Sequence, residues 1–146
     1  MISQIDREML QIAIAASKRS KCVRRQVGAV IFDGSRYVFG YNGAPTKLAH
    51  CTDVGCRRQQ LNVPSGQNAE LCRGSHAEQN VLIHCAKQNL NPIGTTLYCT
   101  NKPCSICAKM IINAQIKRIV YIEDYNDELS DELLKESKIE IEKCSI

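Results

Sequence analysis

The sequence predicts an α/β domain in three layers, with helices on both faces of a five-stranded mixed sheet. Three observations carry that prediction. Apolar residues recur at helical spacing in separate segments, and short runs rich in β-formers lie between them. An early pair of such runs is joined by a turn signal and reads as a hairpin. Later the patterns alternate, helix, strand, helix, strand, helix, strand, which calls for parallel neighbours and right-handed crossovers. The 146 residues suit a single domain over 1–146 with a sizeable core.

The elements follow in order. Ser3 is a good N-cap with Asp6 three residues on, much as in a capping box. Ile5, Met9, Ile12, Ala13 and Ala16 then mark one helical face to about Ser17. Nothing on that face suggests chemistry, so this helix is expected to cover the sheet. Val27 to Phe32 is apolar, Asp33-Gly34 is a turn signal, and Arg36 to Tyr41 favours a strand. Asn42-Gly43-Ala44-Pro45 ends that strand sharply. From about 43 to 75 the chain reads as one long irregular loop carrying Cys51, Cys56 and Cys72. Loops of this length in small domains are usually functional, and a metal is the obvious means of holding this one. Ser75 reads as the N-cap of a helix from His76 to about Asn89, with Ala77, Val81 and Cys85 on one stripe. Leu90 to Gly94 is a turn and Thr95 to Thr100 a strand. Pro103 suits the first position of a helix, where its missing N–H is not needed. Cys104, Cys107, Ala108 and Ile111 follow one face of that helix to about Asn113. A strand at Arg118 to Ile122, a helix from Asp127 to about Ser137 and a strand at Lys138 to Lys143 complete the chain.

Composition narrows the class. Hydrophobic residues make up 44% and charged residues 23%, as in soluble globular proteins. No apolar run is long enough to span a membrane, and the N-terminus lacks a signal-peptide core. Nine cysteines is a high and odd number, which points to metal ligation and buried thiols rather than a disulfide framework, and hence to the cytosol. The net charge of +4 is mild. Five of the basic residues crowd into Lys18, Arg19, Lys21, Arg24 and Arg25. They read either as a solvated turn or as a phosphate clamp; charge alone favours the turn.

The chemistry gathers in two stretches, Ser75-His76-Ala77-Glu78 and Pro103-Cys104-Ser105-Ile106-Cys107. One His and two Cys are donors suited to tetrahedral Zn²⁺, and three protein ligands leave an open position, the mark of a catalytic site. Cys104 and Cys107 at i and i+3 share a helical face. A helix N-terminus lowers a thiol pKa, and a metal completes the deprotonation. Glu78, two residues after His76, is placed to move protons beside a water in the open position. Ser75-x-x-Glu78 is also a capping box, which would explain Glu78 without catalysis; the later Cys pair decides for chemistry.

His-x-Glu followed by Pro-Cys-x-x-Cys is the signature of the zinc deaminases. At these residues the chain resembles the cytidine deaminase superfamily, and within it the deoxycytidylate (dCMP) deaminases. The closer match rests on Ser20-Lys21-Cys22-Val23-Arg24-Arg25-Gln26-Val27-Gly28-Ala29-Val30, on Gly40-Tyr41-Asn42-Gly43-Ala44-Pro45 and on His50-Cys51. It extends through Leu71-Cys72-Arg73-Gly74 and Thr100 to Ile111, and covers about Ser17 to Tyr125. These blocks are more specific than the zinc motif, which cytidine, guanine and tRNA adenosine deaminases share.

The resemblance implies His76, Cys104 and Cys107 as zinc ligands, Glu78 as proton shuttle, and hydrolysis of dCMP to dUMP and ammonia. It implies Asn42 as the contact to the sugar hydroxyl, Arg25 (with Arg24 as the other possibility) in a phosphate site, and Ala77, Tyr121 and Tyr125 at the pocket. It also implies a second, structural zinc, for which Cys22, Cys51, Cys56 and Cys72 are the candidate ligands. Cys85, Cys99 and Cys144 read as small core residues and His84 as a surface residue. Many relatives are homohexamers, activated by dCTP and inhibited by dTTP, with Mg²⁺ accompanying the triphosphate. Three residues depart from the family's habit: Lys47 and Gln115 stand where Gly is common, and Val81 where Ala is. Lys47 puts the allosteric control in question. The rivals are a deaminase of another cytosine nucleoside, nucleotide or base, and a zinc-stabilised nucleic-acid-binding module. The intact His-x-Glu and the scarcity of aromatic residues argue against the module.

Overall fold

The computed structural model describes residues 1–146. Its elements in chain order are α1 (Gln4–Ser17), β1 (Gly28–Phe32), β2 (Tyr37–Tyr41), α2 (Cys51–Val54), α3 (Arg57–Gln60), α4 (Ala77–Lys87), β3 (Thr96–Asn101), α5 (Ser105–Asn113), β4 (Arg118–Glu123), α6 (Glu128–Ser137) and β5 (Glu140–Lys143). α1 starts where its capping residues put it: Ser3 Oγ accepts the Asp6 N–H at 3.1 Å, and Asp6 Oδ2 accepts the Ser3 N–H at 2.8 Å.

The strands lie in the order β2-β1-β3-β4-β5. β1 is antiparallel to both β2 and β3, while β3, β4 and β5 run parallel, joined through α5 and α6. This is the expected mixed sheet. Strand alternation then sorts the core into two layers. Val30, Tyr98 and Val120 face α1 through Met9, Leu10 and Ala13. Their neighbours Ile31, Leu97 and Ile119 face the other way, toward Val81 of α4, Ile111 of α5 and Leu134 of α6. Each such fully buried aliphatic side chain contributes about 1.5–3 kcal/mol relative to exposure.

Two glycines let the helices lie directly on the hairpin. A Cβ on Gly28 would stand 1.9 Å from the Ala13 carbonyl oxygen, and one on Gly40 would stand 2.7 Å from the Val81 nitrogen. α4 is thereby held close over β2, and the Asn80 amide fastens it by donating to the Tyr41 carbonyl at 2.8 Å.

The structure corrects three local expectations. The stretch from 43 to 75 is not wholly irregular, since it holds α2, α3 and a 3₁₀ turn at Ala69–Leu71. Each is one turn or less, too short to leave a periodic pattern. The N-cap of α4 is His76 rather than Ser75, whose backbone pairs instead with Gly43 in an isolated antiparallel bridge. Pro103 lies two residues before the first residue of α5, with Cys104 as the N-cap. The Pro103 carbonyl is held by the Ser130 hydroxyl at 2.7 Å, and Asp127 accepts the Ser105 N–H at 2.7 Å.

Lys47 and Gln115 both adopt left-handed backbone, with φ of 70° and 60°. That explains why glycine suits these positions. Gln115 sits just past α5. Its N–H reaches the Ile112 carbonyl at 3.0 Å, and the next N–H, of Ile116, reaches Ile111 at 3.4 Å, a Schellman closure.

Candidate active site

The starts of α4 and α5 converge on one point. His76 is the N-cap of α4, Cys104 the N-cap of α5, and Cys107 stands one turn further along α5. His76 Nδ1 lies 3.5 Å from Cys104 Sγ and 3.3 Å from Cys107 Sγ, and all three donor atoms fall within 4.8 Å of one another. Tetrahedral Zn²⁺ with ordinary bond lengths puts its nitrogen and sulfur ligands about 3.6 Å apart. The trio therefore fits zinc in both donor type and spacing.

The electrostatics suit a cation. The hydrogen bond from Cys107 brings the Cys104 thiol down to about 4, against burial and with help from His76. Cys107, the proton donor of the pair, is pushed up by that same bond and by burial. His76 is raised, first by its hydrogen bond to Cys104. A divalent cation on these atoms would replace the shared proton and hold both sulfurs as thiolates.

Glu78 is buried, only 5% exposed, and burial pushes its pKa up to about 7. The capping explanation of this residue fails. The His76 N–H that a capping side chain would bind is accepted by Gln79 Oε1 at 2.7 Å. Glu78 thus has no part in starting the helix, yet it sits buried beside the ligands.

A cavity of about 490 Å³ opens over this group. Of the residues expected at a pocket, Ala77, Asn42, Arg24, Arg25 and Tyr125 line it, as do all four loop-linked cysteines, Cys22, Cys51, Cys56 and Cys72. Tyr121 does not. It projects into the core from β4, and its hydroxyl donates to Asp124 at 3.1 Å. Asn42 is already engaged: Oδ1 accepts the Val27 N–H at 2.9 Å and Nδ2 donates to the Arg25 carbonyl at 2.9 Å. One amide proton and one lone pair remain for a ligand. Arg25 is exposed at the rim, its guanidinium stacked 4.9 Å from the Tyr125 ring centre. Arg24 is more deeply set and donates to the Val63 carbonyl at 3.0 Å.

The four loop-linked cysteines are unpaired, and their sulfurs are less tightly gathered than the His76 trio. They are still near enough to feel one another: burial and the charges of Cys22, Cys72 and Cys56 all raise Cys51. Cys85, Cys99 and Cys144 are buried core residues, as expected, whereas His84 is half-buried rather than a surface residue.

Sequence reasoning assigned no role to three residues that the structure brings to the site. Asp127 accepts N–H groups from the first turns of both α5 and α6, at 2.7 and 3.1 Å, and so sets the start of the Cys104–Cys107 turn. Arg58 and His50 line the cavity, and each has a buried nitrogen, Nε and Nδ1 respectively, without a hydrogen-bond partner. Only His50 belonged to a recognisable block, His50-Cys51; Arg58 had no motif or periodicity to mark it.

Comparison with known proteins identifies the family. The family model for the cytidine and deoxycytidylate deaminase zinc-binding region matches residues 3–123. The deoxycytidylate deaminase of Mycobacterium phage D29 is 41% identical over 121 residues, covering 80% of this chain and 92% of its own. That of Saccharomyces cerevisiae is 34% identical over 142 residues, covering 96% of this chain, which spans 45% of the yeast protein's length. Among solved structures, the cyanophage S-TIM5 dCMP deaminase in complex with dCMP and dUMP superposes with a TM-score of 0.82, at 29% identity and over 99% of each chain. With its His-Cys-Cys trio, buried Glu and five-stranded mixed sheet, this chain belongs to the zinc-dependent cytidine and deoxycytidylate deaminase family.

Proposed function

We propose that the protein hydrolyses dCMP to dUMP and ammonia, in pyrimidine deoxynucleotide metabolism that feeds thymidylate synthesis. The observation that carries this reading is the single cavity lined both by Glu78 with His76 and Cys104 of the zinc-fitting trio and by arginines with buried N–H groups that lack an acceptor. A nucleoside offers those arginines nothing; a nucleotide offers a phosphate.

His76, Cys104 and Cys107 would hold Zn²⁺, which when bound would supply an activated water for attack at C4 of the cytosine ring. Glu78 does the proton work. Its carboxylate takes a proton from that water and delivers it to N3 of the base. It then takes the proton of the new C4 hydroxyl and passes it to the amino nitrogen, so that the C4–N4 bond breaks, the C4 carbonyl forms and ammonia leaves. A buried carboxyl with its pKa raised to about 7 suits both roles, since it can accept and release a proton near neutrality. Ala77 and Tyr125 border the base and sugar, Asn42 presents its free amide proton to the sugar hydroxyl, and Arg24 and Arg25 meet the phosphate.

A second Zn²⁺ on Cys22, Cys51, Cys56 and Cys72 would tie the long loop to the turn after α1. Their shared wall and mutual influence support this, and the orphaned Nδ1 of His50 stands on the same wall as a further donor. Nine unpaired cysteines suit a cytoplasmic protein. Ile83 on α4 and Ile106 and Met110 on α5 are exposed, which suits assembly into a homohexamer. Activation by dCTP with Mg²⁺ and inhibition by dTTP belong to the same proposal.

The test is to incubate zinc-loaded protein with dCMP, dCTP, deoxycytidine and CMP, with dCTP or dTTP added to parallel dCMP reactions, and to measure uracil product. Turnover confined to dCMP supports the reading, and turnover raised by dCTP supports the regulation. No turnover of any substrate refutes both.

A further inference from the structure

We propose that Arg58, which lies outside every motif of the sequence, joins Arg24 in gripping the 5′-phosphate of the substrate and so sets the preference for nucleotide over nucleoside. This rests on the dCMP reading above and adds a specificity-determining residue to it.

Arg58 is the second residue of α3 and lines the same cavity as His76. Its Nε and the Nη1 of Arg24 are both buried without a hydrogen-bond partner. Both arginines are tied to one residue: the Val63 N–H donates to the Arg58 backbone carbonyl at 2.8 Å, and Arg24 Nη2 donates to the Val63 carbonyl at 3.0 Å. None of the protein's ion pairs involves either residue. The two carboxylates on the cavity wall are engaged elsewhere, Glu78 beside the zinc trio and Asp127 with two helix N–H groups.

Buried guanidinium N–H groups are rarely left without acceptors, because their desolvation then goes uncompensated. Here no acceptor comes from the protein, so it comes from the ligand. A phosphate monoester presents three terminal oxygens to the planar fork of an arginine, enough acceptors for the two arginines that line this one cavity.

The experiment compares binding of dUMP and deoxyuridine to the zinc-loaded full chain by calorimetry, for wild type, Arg58→Gln, Arg58→Lys and Arg57→Gln. Inorganic phosphate is used as a second probe, read by the thermal midpoint. Arg57 is exposed on the same turn and off the cavity, so its variant removes the same charge without touching the site. Arg58→Gln should weaken dUMP roughly 10- to 100-fold, as expected for a charge-assisted hydrogen bond, and leave deoxyuridine unchanged. Arg58→Lys should recover part of the loss, and Arg57→Gln should behave as wild type. Phosphate should raise the midpoint of wild type and not of Arg58→Gln. An Arg58→Gln protein that binds dUMP as wild type does, or that loses dUMP and deoxyuridine equally, overturns the assignment. The phosphate arm decides Arg58 even if another base proves to be deaminated. Conversely, dCMP turnover with an indifferent Arg58→Gln keeps the substrate and discards the residue.

Discussion

Glu78→Gln separates the two explanations of Ser75-x-x-Glu78. The structure assigns the helix-capping task to Gln79, whose Oε1 accepts the His76 N–H at 2.7 Å, and leaves Glu78 buried beside the ligands. Glutamine matches glutamate in shape, so packing at this position survives the change. What disappears is the ability to carry a proton from water to N3 and then to the leaving nitrogen. One positioned acid–base group is worth about 10²–10⁴-fold, and here one group serves both steps, so turnover should fall by 10³-fold or more on the order of that range. Thermal stability should stay within about 0.5–1 kcal/mol of wild type, as for a neutral isosteric change. Gln79→Ala should do the reverse. Losing a cap contact costs about 1 kcal/mol, roughly 2–4 °C in a domain of this size, while Glu78 remains in place to carry protons. The assay is steady-state uracil formation beside a melting curve for each variant, at matched zinc content. A Glu78→Gln enzyme keeping more than about a tenth of its activity, paired with a Gln79→Ala enzyme of unchanged stability, would refute the division of roles.

Gln115→Gly should stabilise the protein by up to about 1 kcal/mol, seen as a higher midpoint in urea, because glycine adopts the observed φ of 60° without strain. Asp6→Asn tests the acid side of stability. Burial alone would raise Asp6, but hydrogen bonds from Arg118, the Ser3 N–H and Tyr98 outweigh it and hold the carboxyl well below its usual range. A depressed folded pKa contributes stability that is present above the unfolded value near 4 and fades as pH falls below it. Wild type should therefore lose more stability between pH 7 and pH 3 than Asp6→Asn, in urea melts at each pH. Exhaustive chelation should abolish turnover, and restored zinc should recover it. Cys107→Ser should remain inactive at any zinc concentration, with bound metal measured by atomic absorption.

Long periodic segments made the fold legible. Met9, Ala13 and Ala16 on α1, or Ala77, Val81 and Cys85 on α4, repeat often enough for the buried face to show. The zinc trio was legible for a related reason, since Cys104 and Cys107 are fixed by helical spacing and His76 opens a neighbouring helix. The starts of α4 and α5 were misplaced by one and two residues because contacts distant in sequence decide them. The Gly43–Ser75 bridge takes Ser75 out of the capping position, and Asp127 reaches back to the Ser105 N–H. Tyr121 was expected at the pocket, but strand alternation sends its ring into the core. Arg58 was invisible for the opposite reason: α3 is a single turn, and the contact that joins its neighbourhood to Arg24 spans 39 residues of sequence.

The division of labour between the sheet and the loop follows from these contacts. The sheet and the starts of α4 and α5 provide the donors for a metal and the proton carrier, and nothing in that part distinguishes a nucleotide from a nucleoside. Discrimination has to come from the wall that faces away from the sheet, which the loop builds. Its end is pinned by the Gly43–Ser75 bridge immediately before His76, so any movement of the loop is felt at the zinc trio. Its middle is pinned at Cys56, which is buried and is the N-cap of α3, two residues before Arg58. A one-turn helix has too few hydrogen bonds to hold an arginine in place by itself. A cation bound at Cys56 and its neighbouring cysteines would fix the start of that turn, and with it the direction of the Arg58 side chain. On this reasoning a second zinc would act on substrate affinity through Arg58 as well as on stability, which would give the four cysteines a role in recognition without any of them touching the substrate.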